Sequence, residues 1–256
     1  ISLAGNLALD VGTGGAFIES IGALTVDDVA AIGVVRVDAD GTNANTGNDP
    51  SDGVLQDMVS DGVLVLLVTD GILTLNDGTD SDSNTITAAG NLLVTTSESL
   101  EGTDSDAGIL VNASVISSAG HLSIASADQL TLGGAGDLIV QEDGDTIDLR
   151  AGGAISMEDG TTVTTNDGDI RIESGADMCI SLLTSNGSVL DLAGDTEDED
   201  LIADGLLIQV TGSVGTGLDP IEINATTLTA EIGAATGLFL TETDSIAIGH
   251  VSTSVH

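Results

Sequence analysis

An all-β fold, a parallel β-helix with roughly 18–24 residues per coil, is what this sequence predicts, on three observations. The interior is aliphatic and almost free of aromatic residues. A glycine-led phrase of alternating aliphatic residues recurs along the chain. Two stretches more than a hundred residues apart align without a gap as paired short strands.

Composition supplies the first observation. Hydrophobic residues make up 41% of the 256, yet there is no Trp or Tyr and only Phe17 and Phe239. Globular interiors of this size are normally filled by several aromatic side chains, each burying roughly 150–250 Å². A narrow core of stacked Val, Leu and Ile rungs has no room for them. The 34 glycines and two prolines, Pro50 and Pro220, suit many short strands joined by tight corners. Glycine does not recur every third residue, which excludes collagen, and the aliphatic content disfavours disorder.

The phrase supplies the second. It reads GNLALDV from Gly5, GILTLN from Gly71, GNLLVTT from Gly90, GILVNA from Gly108, GHLSIAS from Gly120, GDLIVQ from Gly136 and GDIRIES from Gly168. Alternation with period two sends one side chain inward and the next outward, as in a strand. The third is the match of Leu122–Gly133 to Leu238–Gly249, two strands around a polar corner that carries Asp128 or Asp244. Spacings of 18, 19 and 24 residues between recurrences predict coils of that length, with insertions absorbed in corner loops. The chain reads as one continuous solenoid segment, residues 1–256, of a longer protein. An acidic loop excursion is expected at 38–61, from Asp38 to Asp61.

GHLSIASADQLTLGGAGDLIV, from Gly120 to Val140, and the stretch from Thr211 to Val251 resemble the shaft repeats of very large secreted bacterial surface proteins of the filamentous-haemagglutinin and giant-adhesin type. The resemblance spans about two thirds of the chain, from Gly90 to Val251, and Asp38–Asp61 departs from it. It implies a right-handed parallel β-helix, export to the cell surface, and a role in adhesion or surface filaments.

Charge bounds the partners. Forty-two acids against three bases, Arg36, Arg150 and Arg171, give a formal net of −39. Nucleic acids bind through Lys and Arg that release counterions, so they are excluded as partners. No run of about 18 apolar residues offers a membrane span. Self-repulsion at this charge calls for salt screening or divalent cations. Bare solenoid ends invite self-association by stacking or lateral packing. The expected role is an extracellular structural or adhesive shaft with an unidentified surface ligand. A self-assembling filament or sheath subunit is the alternative, and a polysaccharide-active β-helix enzyme the minor one. No catalytic residue is assigned.

Calcium is the one ligand for which the residues argue. Hard divalent cations take six to eight oxygens. The loops DGTDSD (Asp77–Asp82) and EGTDSD (Glu101–Asp106) nominate Asp77, Asp80, Asp82, Asp104 and Asp106 as calcium ligands, with the two loops on successive coils. The competing reading makes them solvated corners, since Asp-Gly is favourable turn chemistry. Asp80, Asp82 and Asn84 match half of an EF-hand loop, but Thr85 and Asn91 stand where Gly and Glu are required. GGAGD, Gly133–Asp137, approximates a calcium nonapeptide without tandem repetition.

The remaining chemistry-bearing residues read as structural. Arg150 and Arg171 are expected to neutralise Asp148, Asp169 and Glu173. His121, His250 and His256 are scattered, and the lone Cys179 forms no internal disulfide. Gly12–Gly15 is a turn. Asn112, Asn186 and Asn224 open sequons that permit glycosylation in a suitable exporter.

Overall fold

Residues of like shape lie beside one another from coil to coil. Leu24 pairs with Leu73, Leu73 with Ile109, Ile109 with Leu130, and Leu130 with Ile155, all in parallel register. The computed structural model describes residues 5–31, 37–42, 54–99, 107–158, 161–174, 178–179, 201–210, 214, 217, 220–232, 237–242 and 245–253. Among them there is no helix, and every ladder between named strands is parallel.

The strands follow in triplets, one triplet to a coil. The first is β1 (Asn6–Leu7), β2 (Leu9–Val11) and β3 (Ala16–Ile21), then β4 (Leu24–Val26), β5 (Met58–Ser60) and β6 (Leu64–Thr69). Next come β7 (Leu73–Leu75), β8 (Asn84–Ala88) and β9 (Leu92–Ser97), then β10 (Ile109–Val111), β11 (Ser114–Ser117) and β12 (Leu122–Ser126). They continue with β13 (Leu130–Leu132), β14 (Leu138–Val140) and β15 (Ile147–Ala151), then β16 (Ile155–Met157), β17 (Val163–Thr165) and β18 (Asp169–Ser174). The last are β19 (Met178–Cys179), β20 (Leu201–Val210), β21 (Ile221–Ile232), β22 (Leu240–Glu242) and β23 (Ala247–Thr253).

Three faces result. Face a stacks β1-β4-β7-β10-β13-β16-β19, face b runs β2-β5-β8-β11-β14-β17, and face c runs β3-β6-β9-β12-β15-β18. The ten-residue β20 joins faces b and c: its start pairs with β17 and its remainder with β18. β21 continues both in one strand, with β22 beside its first half and β23 beside its second. The predicted all-β parallel solenoid is therefore the observed architecture.

The core is the inward half of each strand. Leu64, Leu92, Leu122, Ile147 and Ile170 form one buried row on face c, and Leu66, Val94, Ile124, Leu149 and Ile172 the next. Each fully buried Leu or Ile contributes about 1.5–3 kcal/mol by leaving water. Hydroxyls line the inner corners and satisfy backbone carbonyls that a strand ladder cannot reach. Ser117 Oγ donates to the carbonyls of Gly90 and Gly120 at 3.0 and 2.6 Å, and Thr165 Oγ1 to that of Gly168 at 2.7 Å. Glycine is forced where coils touch most closely: a Cβ on Gly168 would lie 1.8 Å from the Asp145 carbonyl oxygen. At the exit of face a, Asn112 Nδ2 donates to Asn76 Oδ1 at 2.9 Å, and Asn76 Nδ2 to Asp27 Oδ2 at 3.0 Å, which ties three coils together.

Coil length differs along the rod. The register gives 21, 25 and 23 residues from Ile109 to Leu130, to Ile155 and to Met178, close to the expected 18–24. From Leu24 to Leu73 it is 49, with residues 27–57 between β4 and β5 in sequence. Of the interval expected as an excursion, 38–61, Met58 and Ser60 are buried in β5. Residues 32–36 and 43–53 lie outside the described residues. The glycine-led phrases also mean something different from coil repeats. Gly71 and Gly108 precede strands of face a while Gly90 precedes one of face c, so the 18- and 19-residue spacings step between faces. A tight corner wants glycine whichever face follows it.

Replacement of Ile124 by Ala is expected to lower stability by about 2–5 kcal/mol, because the site is enclosed by rungs above and below. Phe17→Ala, at an exposed position, is expected to stay within about 0.5 kcal/mol. Urea denaturation of both variants checks the contrast.

Candidate metal centre

The corner between faces a and b gathers the most concentrated acid in the described residues. Turn chemistry shapes it: Ser81 and Ser83 take left-handed backbone conformations, φ 61° and 66°, and Asp82 Oδ1 accepts from the Asn84 amide at 2.8 Å. These hold Asp80 and Asp82 on the outside of the corner, both exposed. Asp57 comes from the coil before. It precedes Met58, whose pairing with Ile86 brings the end of the excursion against the start of β8.

Carboxylate oxygens of Asp57, Asp80 and Asp82 lie within 4.8 Å of one another. Burial, and then repulsion from Asp80, Asp82 and Asp77, push the Asp57 carboxyl up to about 7, against a hydrogen bond from the Gly78 amide. Burial also raises Asp77, opposed by the Ser83 amide. Gln56 Oε1, Asp57 Oδ1, Asp77 Oδ1 and Thr85 Oγ1, in the segments that lead into β5 and β8, are buried without a hydrogen-bond partner. A buried acceptor with no donor costs about 1–3 kcal/mol. The three carboxylates present hard oxygen donors at one corner, with no cationic side chain among the described residues there.

Of the nominated ligands, Asp80 and Asp82 are brought together, and Asp77 stands close enough to act on Asp57 by charge. Asp104 and Asp106 lie outside the described residues. Their segment joins β9 to β10, whereas Asp77–Asp82 joins β7 to β8. In sequence the two segments thus follow different strands of one triplet. Asp57 was missed because the long excursion hides which strand it precedes. The only local signal is a polar pair, Gln56-Asp57, directly before Met-Val-Ser.

Other candidates are placed in structural roles. Asn84 and Thr85 open β8 and Asn91 leads into β9, so the EF-hand match is no loop. Asp137 Oδ1 accepts from the Thr162 amide and hydroxyl at 2.8 and 3.0 Å, which occupies the acid of the GGAGD turn. Gly15 donates to the Gly12 carbonyl at 3.0 Å, closing the expected turn. Asn112 stands in the corner between β10 and β11 with its amide held by Asn76, and Asn224 sits within β21. Asn186, Arg36 and His256 lie outside the described residues, as does the side chain of Cys179.

Arg171 grips Asp148 through two hydrogen bonds of 2.7 and 2.8 Å, and Arg150 lies 3.3 Å from Asp148 and 3.6 Å from Glu173. The neutralisation expected of both arginines is seen with Asp148 and Glu173. A shallow groove of about 670 Å³ runs past Asp148, Asp169, Arg171 and Thr229.

No family model, no curated protein and no solved structure matches this chain.

The raised Asp57 carboxyl has a definite sign in stability. The unfolded chain releases this proton near pH 4 and the folded chain near pH 7, so between those values the folded state binds more protons and stability falls as pH rises. With chelator present, Asp57→Asn is expected to match the parent at pH 4. At pH 8 it should exceed the parent by on the order of 1 kcal/mol, the repulsion being partly screened by solvent. Denaturant titrations at the two pH values measure it.

Proposed function

We propose that this chain is a segment of an extracellular shaft: a structural or adhesive rod of the filamentous-haemagglutinin and large-adhesin kind, stiffened by calcium and without catalytic activity. The observation that carries the reading is the unbroken parallel register from β3 to β18 on the widest face, a ladder that lengthens without limit as coils are added. Each coil contacts its neighbours alone, so length is gained without a larger core. A protein holding one partner away from another surface needs that property.

Three further features support it. The acids gather in corner loops, which keeps a chain of net charge −39 soluble and extended. The Asp57, Asp80 and Asp82 corner brings together acids of two successive coils, so an ion bound there would clamp the two coils to each other. Calcium is abundant outside cells, and a site that loses its repulsion on binding couples the rod's rigidity to that setting.

The test is a far-UV circular dichroism melt in millimolar calcium and then in chelator at matched ionic strength, on the parent and on Asp57→Asn with Asp80→Asn. Calcium is expected to raise the parent's melting temperature by roughly 5 °C or more and to leave the double variant unmoved. Equal melts for the parent in both media would remove calcium from the proposal. A compact scattering profile in place of a rod would remove the shaft.

A further inference from the structure

Asp is followed directly by Gly nine times in this chain, and seven of these pairs lie among the described residues. An Asp-Gly bond can rearrange, because the glycine nitrogen, unshielded by a side chain, reaches the Cγ of the aspartate before it. The reaction needs that nitrogen free of a hydrogen bond, a carboxyl free to turn, and room for the backbone to move. Six of the seven pairs lack at least one of these. Gly62 donates to Ser60 Oγ at 3.2 Å, Gly168 to Thr165 Oγ1 at 3.3 Å, Gly41 to the Asp38 carbonyl at 2.9 Å, and Gly78 to the Asp57 carboxyl. Gly205 is held inside β20 between the ladders of β18 and β21. Gly71 packs so closely that a Cβ would lie 2.2 Å from the Ala23 nitrogen, and both carboxylate oxygens of Asp70 accept from Ser99. Asp143-Gly144 is the exception. In the corner between β14 and β15, the Gly144 amide makes no hydrogen bond to a described residue, and a Cβ there would meet nothing within 4 Å. Asp143 is exposed, and Asn166 Nδ2 donates to one of its oxygens, Oδ1.

We propose that the Asp143-Gly144 bond is a site of spontaneous covalent modification, where the folded chain converts an ordinary peptide link into a β-aspartyl one. Gly144 N attacks Asp143 Cγ, and the new N–Cγ bond closes a succinimide ring. The amide proton, one carboxylate oxygen and a proton from solvent leave as water. Water then reopens the ring. Addition at Cγ breaks the N–Cγ bond and restores aspartate. Addition at the Asp143 main-chain carbonyl breaks its bond to Gly144 N, so the chain runs on through Cγ and the main-chain carbonyl becomes a free carboxylate. The water lost is regained, and neither oxidant nor enzyme takes part. The product is longer by one methylene in its main chain at this corner. The inward positions Leu138, Val140, Ile147 and Leu149 stand in the strands on either side of the corner, so the added length is taken up outside the core. What the change removes is the tie from Asp143 to Asn166 in the corner of the next coil. This inference goes beyond the shaft reading and does not depend on it.

Peptide mapping with electron-transfer fragmentation, which separates β-linked from ordinary aspartate, tests this. The full chain is aged in warm, mildly acidic buffer that preserves its circular dichroism spectrum, beside the same chain aged in concentrated urea. In urea the Asp-Gly bonds are expected to isomerise at similar rates. In the folded chain Asp143 should stay within about threefold of its urea rate, while the other six described sites slow by about tenfold or more, the effect of a barrier raised by about 1.4 kcal/mol. Asp143→Glu, which would have to close a larger ring, should abolish the modification at this corner and leave the spectrum and the other six rates unchanged. Equal rates at all seven described sites of the folded chain overturn the proposal. So does faster modification at any of the other six.

Discussion

Parallel register is the constraint on which everything else depends. Once Leu64 pairs with Leu92 and Leu92 with Leu122, every neighbouring position in those strands is fixed, because a slip of one residue would turn each inward side chain outward. The aliphatic rows, the corner hydroxyls and the amide ladder through Asn76 all inherit their positions from that pairing. Aromatic residues are scarce for the same reason: a rung only two or three residues wide, repeated at one strand spacing, has no volume for a ring.

Fixing the strands leaves the corners free, and the chain uses that freedom for charge. The strands of face a contain no charged residue, while the turns beside them hold Asp27, Asp28, Asp77, Asp80 and Asp82. Acid in a corner stays hydrated and spaced from its neighbours on the same coil. The cost appears where two coils present their acids at one height, as Asp57 meets Asp80 and Asp82. Tight packing and acidic crowding thus arise from one geometric rule applied to different residues.

Much of the fold was legible because alternation and glycine punctuation are local. Leu122–Ser126 declares itself a strand on sequence alone, and so does Leu130–Leu132. Which face a strand joins is not local. The likeness of Leu122–Gly133 to Leu238–Gly249 reflects the shared chemistry of strand, corner and strand, although the first pair runs from face c to face a and the second flanks the two halves of β21. The same blindness affected the acidic site. Asp80 and Asp82 stood out as a motif, but their partner Asp57 is reached through pairing across the excursion, which no spacing rule encodes.

The direction of the hydrogen bonds has a mechanical consequence. Ladder bonds and the Asp27–Asn76–Asn112 chain both run from coil to coil, along the rod. Tension applied end to end loads the coils in series, so a pulled rod yields at its weakest junction first and releases one coil at a time. A coil of 21–25 residues frees roughly 70–80 Å of extended chain. Such a rod would dissipate a sudden load by lengthening stepwise, with the remaining coils still folded.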